Sequence, residues 1–563
     1  MIYHCEDHTC NYWDEGEKLP ERCPQCGRKL LRANEADMTG DDWTALGNTL
    51  WDAEASDKKR MVDCFRKAAY LGSAWGVCNL GICMEQGNGV EADPVQAFWL
   101  YQQAVEMGSL NAVCCLGVCY EHGIGTAPDA KQAAELYRKA AEYGSPRGQM
   151  LLARAFHDGI GVEADAAEAV HWVRAAAYQR YGEGMYRLGV CYEYGDGVEQ
   201  NWEHAVHWFR EAAESGVGVA MTDLGYCYEK GYGVEQSGEQ AFSWYRRGAQ
   251  CGDLQSMHNL ACCYEGGEGV EQNEDRAFYW YRRSAEGGNG SAMCNLGLCY
   301  QMGYGVEQNW QEAIKWYEQG AQCGNLQSMH NLACCYERGE GVEQNMTEAI
   351  CWYTAAAEGG NADDMYELGW QYDHGEGVEQ DMKKAICWYE RAAEQNHPAA
   401  MNSLGECYAM GRGVPRDLET AMEWYRRAAE LGEAMADYNM GWHLEQAGKL
   451  SEAYAHYRKA ADGNDDSAWW ALGRFYENGV VVAQDGKEAR RCYETGEKLG
   501  SVKCKMRLAR CKLLGIGGRR AKKAGLDLCR QALELAKESS EKEDYGYEAE
   551  MNLLRRTIAE NES

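Results

Sequence analysis

The feature that most restricts what this chain can fold into is a period of 36 residues. Leu80, Leu116, Leu152, Leu188, Leu224, Leu260, Leu296, Leu332, Leu368 and Leu404 recur at that step, each followed by Gly or Ala. Val90, Val162, Val198, Val234, Val270, Val306, Val342, Val378 and Val414 keep the same register, with Thr126 in the one missing place. The pattern reaches upstream to Leu46-Gly47 after a step of 34. Downstream it runs to Met440-Gly441, to Leu472-Gly473 after a step of 32, and to Leu508-Ala509. Fourteen repeats from about residue 39 to 537 are expected, and self-similarity at a fixed period is the signature of units that stack on one another.

One unit shows the local physics. Met221, Leu224, Gly225 and Tyr228 fall at the i, i+3, i+4, i+7 spacing of a helix with one apolar face. Gly231 stands just past the last periodic residue, where a helix ends most easily in a left-handed residue. Gly233 and Val234 turn the chain. Ala241, Trp244, Tyr245, Gly248 and Ala249 then repeat the helical spacing until Gly252. Each unit therefore reads as helix A, a Gly-x-Gly-Val loop, helix B and a glycine stop. The small residues permit close helix crossing, and the Trp-Tyr pair fills the layer between units. One such hairpin cannot cover its own apolar face, so the array is predicted to be an α-solenoid. Residues 250–273 and 322–345 agree at 22 of 24 positions, which points to duplication of a two-repeat block.

Composition agrees and excludes some partners. The chain of 563 residues has 65 Gly against 7 Pro, as a recurring structural glycine requires. Its net charge of −32 repels phosphate backbones and anionic lipid, so neither nucleic acid nor a membrane is an expected partner. No apolar run is long enough for a transmembrane helix. The first residues lack a basic stretch followed by an apolar one, so a cytoplasmic location is expected.

The units resemble the Sel1-like repeat family (SLR), a relative of the tetratricopeptide repeat. The family pattern A-x-x-x-L-G-x-x-Y-x-x-G-x-G-V…A-x-x-W-Y-x-x-A-A-x-x-G is carried here by Leu296-Gly297, Tyr300, Gly303, Gly305-Val306, Ala313, Trp316-Tyr317 and Gly324. The resemblance covers roughly nine-tenths of the chain. It implies an all-α, right-handed superhelix and a role as a protein-binding scaffold. Departures are Phe156 in place of the tyrosine and the missing Gly-x-Gly-Val loop after Met440.

Residues 1–38 read as a separate zinc-ribbon or rubredoxin-like module. Cys23-Pro24-Gln25-Cys26-Gly27 has the C-x-x-C spacing of a zinc knuckle. Cys5, Cys10, Cys23 and Cys26 are the favoured ligands of one structural Zn²⁺, with His8 as the alternate. Iron or a metal-free redox pair are the other readings. The remaining 23 cysteines are expected as reduced thiols. Eight of them, Cys83, Cys119, Cys191, Cys227, Cys263, Cys299, Cys335 and Cys407, share one register at the border of the core, where a small buried hydrophobe is expected. A secreted subgroup of the family carries repeat-internal disulfides, but its spacing does not recur here.

The ligand surface is expected on the helix A face opposite the buried stripe. With 100° per residue, the positions two before, two after and five after the repeating leucine point there. Two before stand Tyr186, His258, His330 and Tyr366; two after, Tyr226, Leu298 and Trp370 among others; five after, an acidic row of Glu85, Glu121, Glu193, Glu229, Glu265, Glu337 and Asp373. His258 and His330 read as exposed residues inherited by duplication. The implied ligand is a protein or peptide with apolar anchors and basic charge, bound in a concave groove. The competing possibility is that neighbouring units cover these side chains as mere packing. No catalytic motif is present, so a non-enzymatic adaptor is expected; a repeat-protein hydrolase, as in the secreted subgroup, and a structural spacer are the alternatives. Residues 501–537 hold eleven Lys/Arg and two acids, either a capping surface or an anchor for an acidic partner, and 538–563 read as a last capping helix.

Overall fold

The computed structural model describes residues 2–5, 13–15, 30–32, 35–51, 55–542 and 548–562. Among them are 29 α-helices and three short strands. Twenty-eight helices form fourteen successive pairs between Gly40 and Lys542, and a last helix spans Glu548–Glu562. The chain is a repeat solenoid of paired helices. It divides into two compact units, one of residues 1–292 with 304–307, the other of 293–303 with 308–563.

The unit read above is representative. Helix A runs Gly218–Lys230 and helix B Gly238–Gln250. Gly231 caps the first helix at φ 77°, its N–H bonding the Cys227 carbonyl. Ser237 caps the second, its side chain accepting from the Gln240 N–H. An Asp, Asn or Ser at this place recurs as the helix B cap, for example Asp93, Asp129, Asn273 and Asp417, a signal not weighed in the sequence reading. The second loop glycine is fixed by the preceding unit: a Cβ on Gly233 (φ 65°) would collide with the Trp202 carbonyl at the start of helix Trp202–Glu214.

The core is a ladder of rings. Tyr101, Tyr137, Tyr245, Tyr281, Tyr317, Tyr353, Tyr389, Tyr425, Tyr457 and Tyr493, with Phe65 and Phe209, are the largest fully buried side chains. Each ring rests where the residue after the repeating leucine is small. A Cβ on Gly225 would lie 2.5 Å from Cε1 of Tyr245, so the Leu-Gly pair and the helix B tyrosine are two halves of one packing contact. Seven of the eight register cysteines are buried and Cys191 is half-buried; all 23 cysteines from Cys64 onward are free thiols.

In the N-terminal module, strand β1 (Ile2–Cys5) pairs antiparallel with β2 (Trp13–Glu15) on one side and with β3 (Leu30–Arg32) on the other. The register sets Ile2 opposite Glu15 and Cys5 opposite Leu30. The expected ligands His8, Cys10, Cys23 and Cys26, and the side chain of Cys5, lie outside the described residues.

Candidate functional site

The three columns expected to face a ligand behave differently. The column two before the leucine is half-buried and leans on the helix B ring of its own unit. Tyr186 lies 5.9 Å from Phe209, His258 5.7 Å from Tyr281, His330 6.0 Å from Tyr353 and Tyr366 5.9 Å from Tyr389, measured between ring centroids. His258 and His330 are therefore not the exposed residues the sequence suggested. Leu298 and Trp370, two after the leucine, are also half-buried, while Tyr226 is 41% exposed.

The acidic row is not free charge. Its carboxylates accept hydrogen bonds from the buried tyrosine sixteen residues on: Tyr101 to Glu85 at 2.5 Å, Tyr137 to Glu121 at 2.5 Å, Tyr245 to Glu229 at 2.8 Å, Tyr281 to Glu265 at 2.5 Å and Tyr353 to Glu337 at 3.0 Å. Glu121 also takes Arg154 at 2.6 Å. Each acid thus spends one acceptor site on its own core and offers the rest outward. Sequence reasoning missed the pairing, although Glu at five after and Tyr at twenty-one after the leucine recur together. Glu193 differs, because Phe209 stands where the tyrosine would be; burial raises its carboxyl above the usual range.

In the first unit an aromatic and acidic patch forms around Tyr226. Tyr226 and Tyr232 lie 6.0 Å apart in an edge-on arrangement, and Trp202 lies tilted against Tyr232 at 4.6 Å. Lys230 already places its ammonium 5.7 Å from the Tyr226 ring while pairing with Glu229 at 2.7 Å. The face therefore accepts a cation over a ring beside a carboxylate. Nearby, burial lifts Asp223 to about 6, against the lowering effect of a hydrogen bond from Tyr186.

In the second unit a cavity of about 880 Å³ opens among helices Ala362–His374, Pro398–Met410 and Ala434–Gln446. Tyr366 and Trp370 line it together with Asp373, Glu376, Glu406, Glu433 and Arg412. The rings are braced: Trp370 stacks on His374 at 4.4 Å and Tyr366 on His397 at 5.0 Å. Arg412 is held by Asp373 at 3.0 Å and Glu406 at 3.8 Å. Four carboxylates against one guanidinium leave the cavity acidic, with two fixed aromatic walls. Arg412, Asn402 and Ser403, which complete the wall, carry no sequence signal of their own, because they meet Trp370 only through packing of successive units.

The basic C-terminal segment is partly spent internally. Arg507 pairs with Glu550 at 2.6 Å in the last helix and with Glu477 at 3.4 Å, and Arg520 donates to Asn561 at 2.5 Å. These contacts fit the capping role; Arg519, Lys522 and Lys523 remain exposed.

Comparison with known proteins fits this architecture. The Sel1 repeat model matches residues 76–109, 112–145, 146–181, 182–217, 218–253, 254–289, 290–325, 326–361, 362–397, 398–433, 434–465 and 468–501. The chain belongs to the Sel1 repeat family. Among solved structures it is similar to a protective antigen of uropathogenic Escherichia coli strains with an SLR fold, at 30% identity, covering 85% of this chain and 97% of that one with a TM-score of 0.53. It is also similar to a Sel1 repeat protein from Oxalobacter formigenes, at 32% identity over 43% of this chain and 96% of that one, with a TM-score of 0.39. Comparison with curated proteins finds no match. No helix among the described residues is long and apolar enough to cross a membrane.

Proposed function

We propose that this protein is a non-enzymatic interaction scaffold whose helix A surfaces hold a protein segment with apolar anchors and basic charge. The observation that carries the reading is the acidic cavity walled by Tyr366 and Trp370. Fixed aromatic walls supply area at little entropic cost and suit the role of anchors, while the surrounding carboxylates favour a cationic partner and speed its encounter. The patch around Tyr226 repeats the same chemistry in the first unit. A chain of net charge −32 adds long-range attraction for such a segment and repels nucleic acid and anionic lipid.

The test uses synthetic peptides of equal length built from Leu with either Lys or Glu. The Lys series is expected to bind and the Glu series not, with Trp370→Ala weakening binding about tenfold or more and Tyr226→Ala weakening it less. Equal binding of both series, or full binding by the double variant with its helices intact, refutes the reading.

The N-terminal module is proposed to hold one structural Zn²⁺ through Cys5, Cys10, Cys23 and Cys26, with His8 as alternate. The C-x-x-C spacing supports this, as does the strand register that sets Cys5 opposite Leu30, four residues beyond Cys26. Purified protein should contain one zinc per chain, and chelation should leave the repeat helices folded; metal-free protein refutes it. A cytoplasmic location is proposed in keeping with the free thiols.

A further inference from the structure

The duplicated block sets one local arrangement against two different neighbours. His330 and Cys334 stand four residues apart on helix Leu326–Arg338 and share one face of it. Nε2 of His330 lies 3.6 Å from the Cys334 sulfur. On its other side the ring meets Asp364, on helix Ala362–His374 of the next unit, with Nδ1 2.7 Å from Oδ1. Asp364 is fully buried, and its Oδ2 has no hydrogen-bond partner among the described residues. A buried carboxylate needs a positive charge beside it, so it holds a proton on the imidazole. The ring then donates through Nδ1–H to Asp364 and presents Nε2–H to the sulfur. The Tyr353 hydroxyl lies 3.4 Å from the same sulfur and 3.0 Å from Glu337. Sulfur, imidazole and carboxylate stand in the order of a nucleophile, its proton partner and an orienting group.

The second copy keeps the sulfur and the ring but changes the third member. Nε2 of His258 lies 3.9 Å from the Cys262 sulfur, and the Tyr281 hydroxyl donates to that sulfur at 3.2 Å. Nδ1 of His258 lies 3.2 Å from Oδ1 of Asn259, a neutral side chain on its own helix. The next unit has Ala292 where the other has Asp364. The bond to Asp364 raises His330, whereas burial lowers His258. One sulfur therefore faces an imidazolium and the other a neutral ring, while both cysteines are half-buried. An adjacent positive charge favours the thiolate, which is the nucleophile. The surroundings of Cys334 are acidic: Glu337 lies across Tyr353, and the half-buried Glu367 feels the charges of both Glu337 and His330. Arg338 is exposed at the helix end.

We propose that Cys334, paired with His330 and Asp364, is a reactive thiol that captures small cationic disulfides as a mixed disulfide. Cys334 gives up its proton and its thiolate attacks one sulfur of the disulfide. The new S–S bond forms as the old one breaks, and the leaving thiolate takes up a proton in place of the one Cys334 lost. One thiol and one disulfide are consumed and one of each is formed, so no further oxidant is required. His330 stabilises the attacking thiolate through Nε2–H. Asp364 acts through His330 and is a positioning residue. Glu337 and Glu367 set the preference for positive charge, as like charges would repel an anionic disulfide.

The experiment treats the reduced full chain with substoichiometric cystamine, a dication, at pH 7 and maps the modified thiols by non-reducing digestion and mass spectrometry. Cysteamine should appear first on Cys334, about tenfold or more ahead of Cys262, and ahead of Cys251, Cys323, Cys351 and Cys387, which are more exposed. Dithiothreitol should reverse it. Glutathione disulfide, an anion, should react with Cys334 more slowly than cystamine. Asp364→Asn keeps the shape and removes the charge; it should slow Cys334 about tenfold or more and leave Cys262 and Cys351 unchanged, whereas a general loosening of the repeats would speed them all. In the unaltered chain, modification of Cys334 no faster than of Cys262 overturns the proposal. An unchanged Cys334 rate in Asp364→Asn overturns it too, and faster reaction with glutathione disulfide than with cystamine overturns the charge preference.

Discussion

His330 places Nδ1 2.7 Å from Oδ1 of Asp364, a fully buried carboxylate one unit further along the chain. His258, its counterpart in the duplicated block, has Ala292 at the equivalent position 34 residues on. The two histidines share nearly all local sequence and differ in the neighbour that the next unit supplies. The bond to Asp364, with a second from Cys334, lifts His330 from 6.5 to about 10, whereas burial lowers His258.

The pH dependence follows from that contrast. Between 6.5 and about 10 the folded chain holds a proton on His330 that the unfolded chain has released. This contribution to stability is therefore full below 6.5 and is lost as pH rises toward 10. His258 works the other way, because the unfolded chain binds its proton more readily, so its contribution grows as pH rises through its own range. His330→Gln should cost about 2 kcal/mol at neutral pH, since it strands a buried carboxylate, and should flatten the alkaline loss of stability. Urea midpoints from pH 6 to 10 and NMR titration of both rings check this; a His330 that titrates near or below His258 refutes it.

The tyrosine–carboxylate bonds give a pair of opposite expectations. Tyr245→Phe removes the donor to Glu229 and should destabilise by about 1 kcal/mol. Phe209→Tyr supplies Glu193 with the donor that Glu229, Glu265 and Glu337 of its row already have, as does Gln301 where an amide stands in the row, and should stabilise by up to about 1 kcal/mol. Thermal midpoints of the two variants measured side by side test the sign of each.

Val481 sits at φ 63° where the other loops have their second glycine. A β-branched residue in the left-handed region is strained. Val481→Gly should relieve about 1–2 kcal/mol despite the greater freedom of glycine in the unfolded chain. Chemical denaturation that shows no gain refutes the strain assignment.

Gln371 replaces the register cysteine and is fully buried, and neither its Nε2 nor its Oε1 has a hydrogen-bond partner. Gln371→Cys should stabilise by about 1–2 kcal/mol by removing two unsatisfied polar atoms. An unchanged or lowered thermal midpoint counts against it.

The fold was legible wherever the cause is local. The stripe from Met221 to Tyr228 and the stops at Gly231 and Gly252 depend on residues within one turn or two of each other, and the helices lie where those residues put them. The candidate site was legible only as columns. Tyr226, Trp370 and Tyr366 stand in the surfaces described, but their burial, and the capture of the acidic row by the tyrosines, depend on partners sixteen or more residues away. The difference between His258 and His330 arises from a single substitution in the next unit, Asp364 where the other block has Ala292. A periodic pattern averages such differences away.

The Gly233-type contact has a consequence for how such a chain changes length. Because each loop is seated against the backbone of the unit before it, a residue added or lost within a repeat would unseat the loop. Both steps that depart from 36, the 34 after Leu46 and the 32 after Met440, occur in units without the Gly-x-Gly-Val sequence. Length in this array is thus counted in whole units, and the duplicated 250–273 and 322–345 segments are what growth by the unit leaves behind.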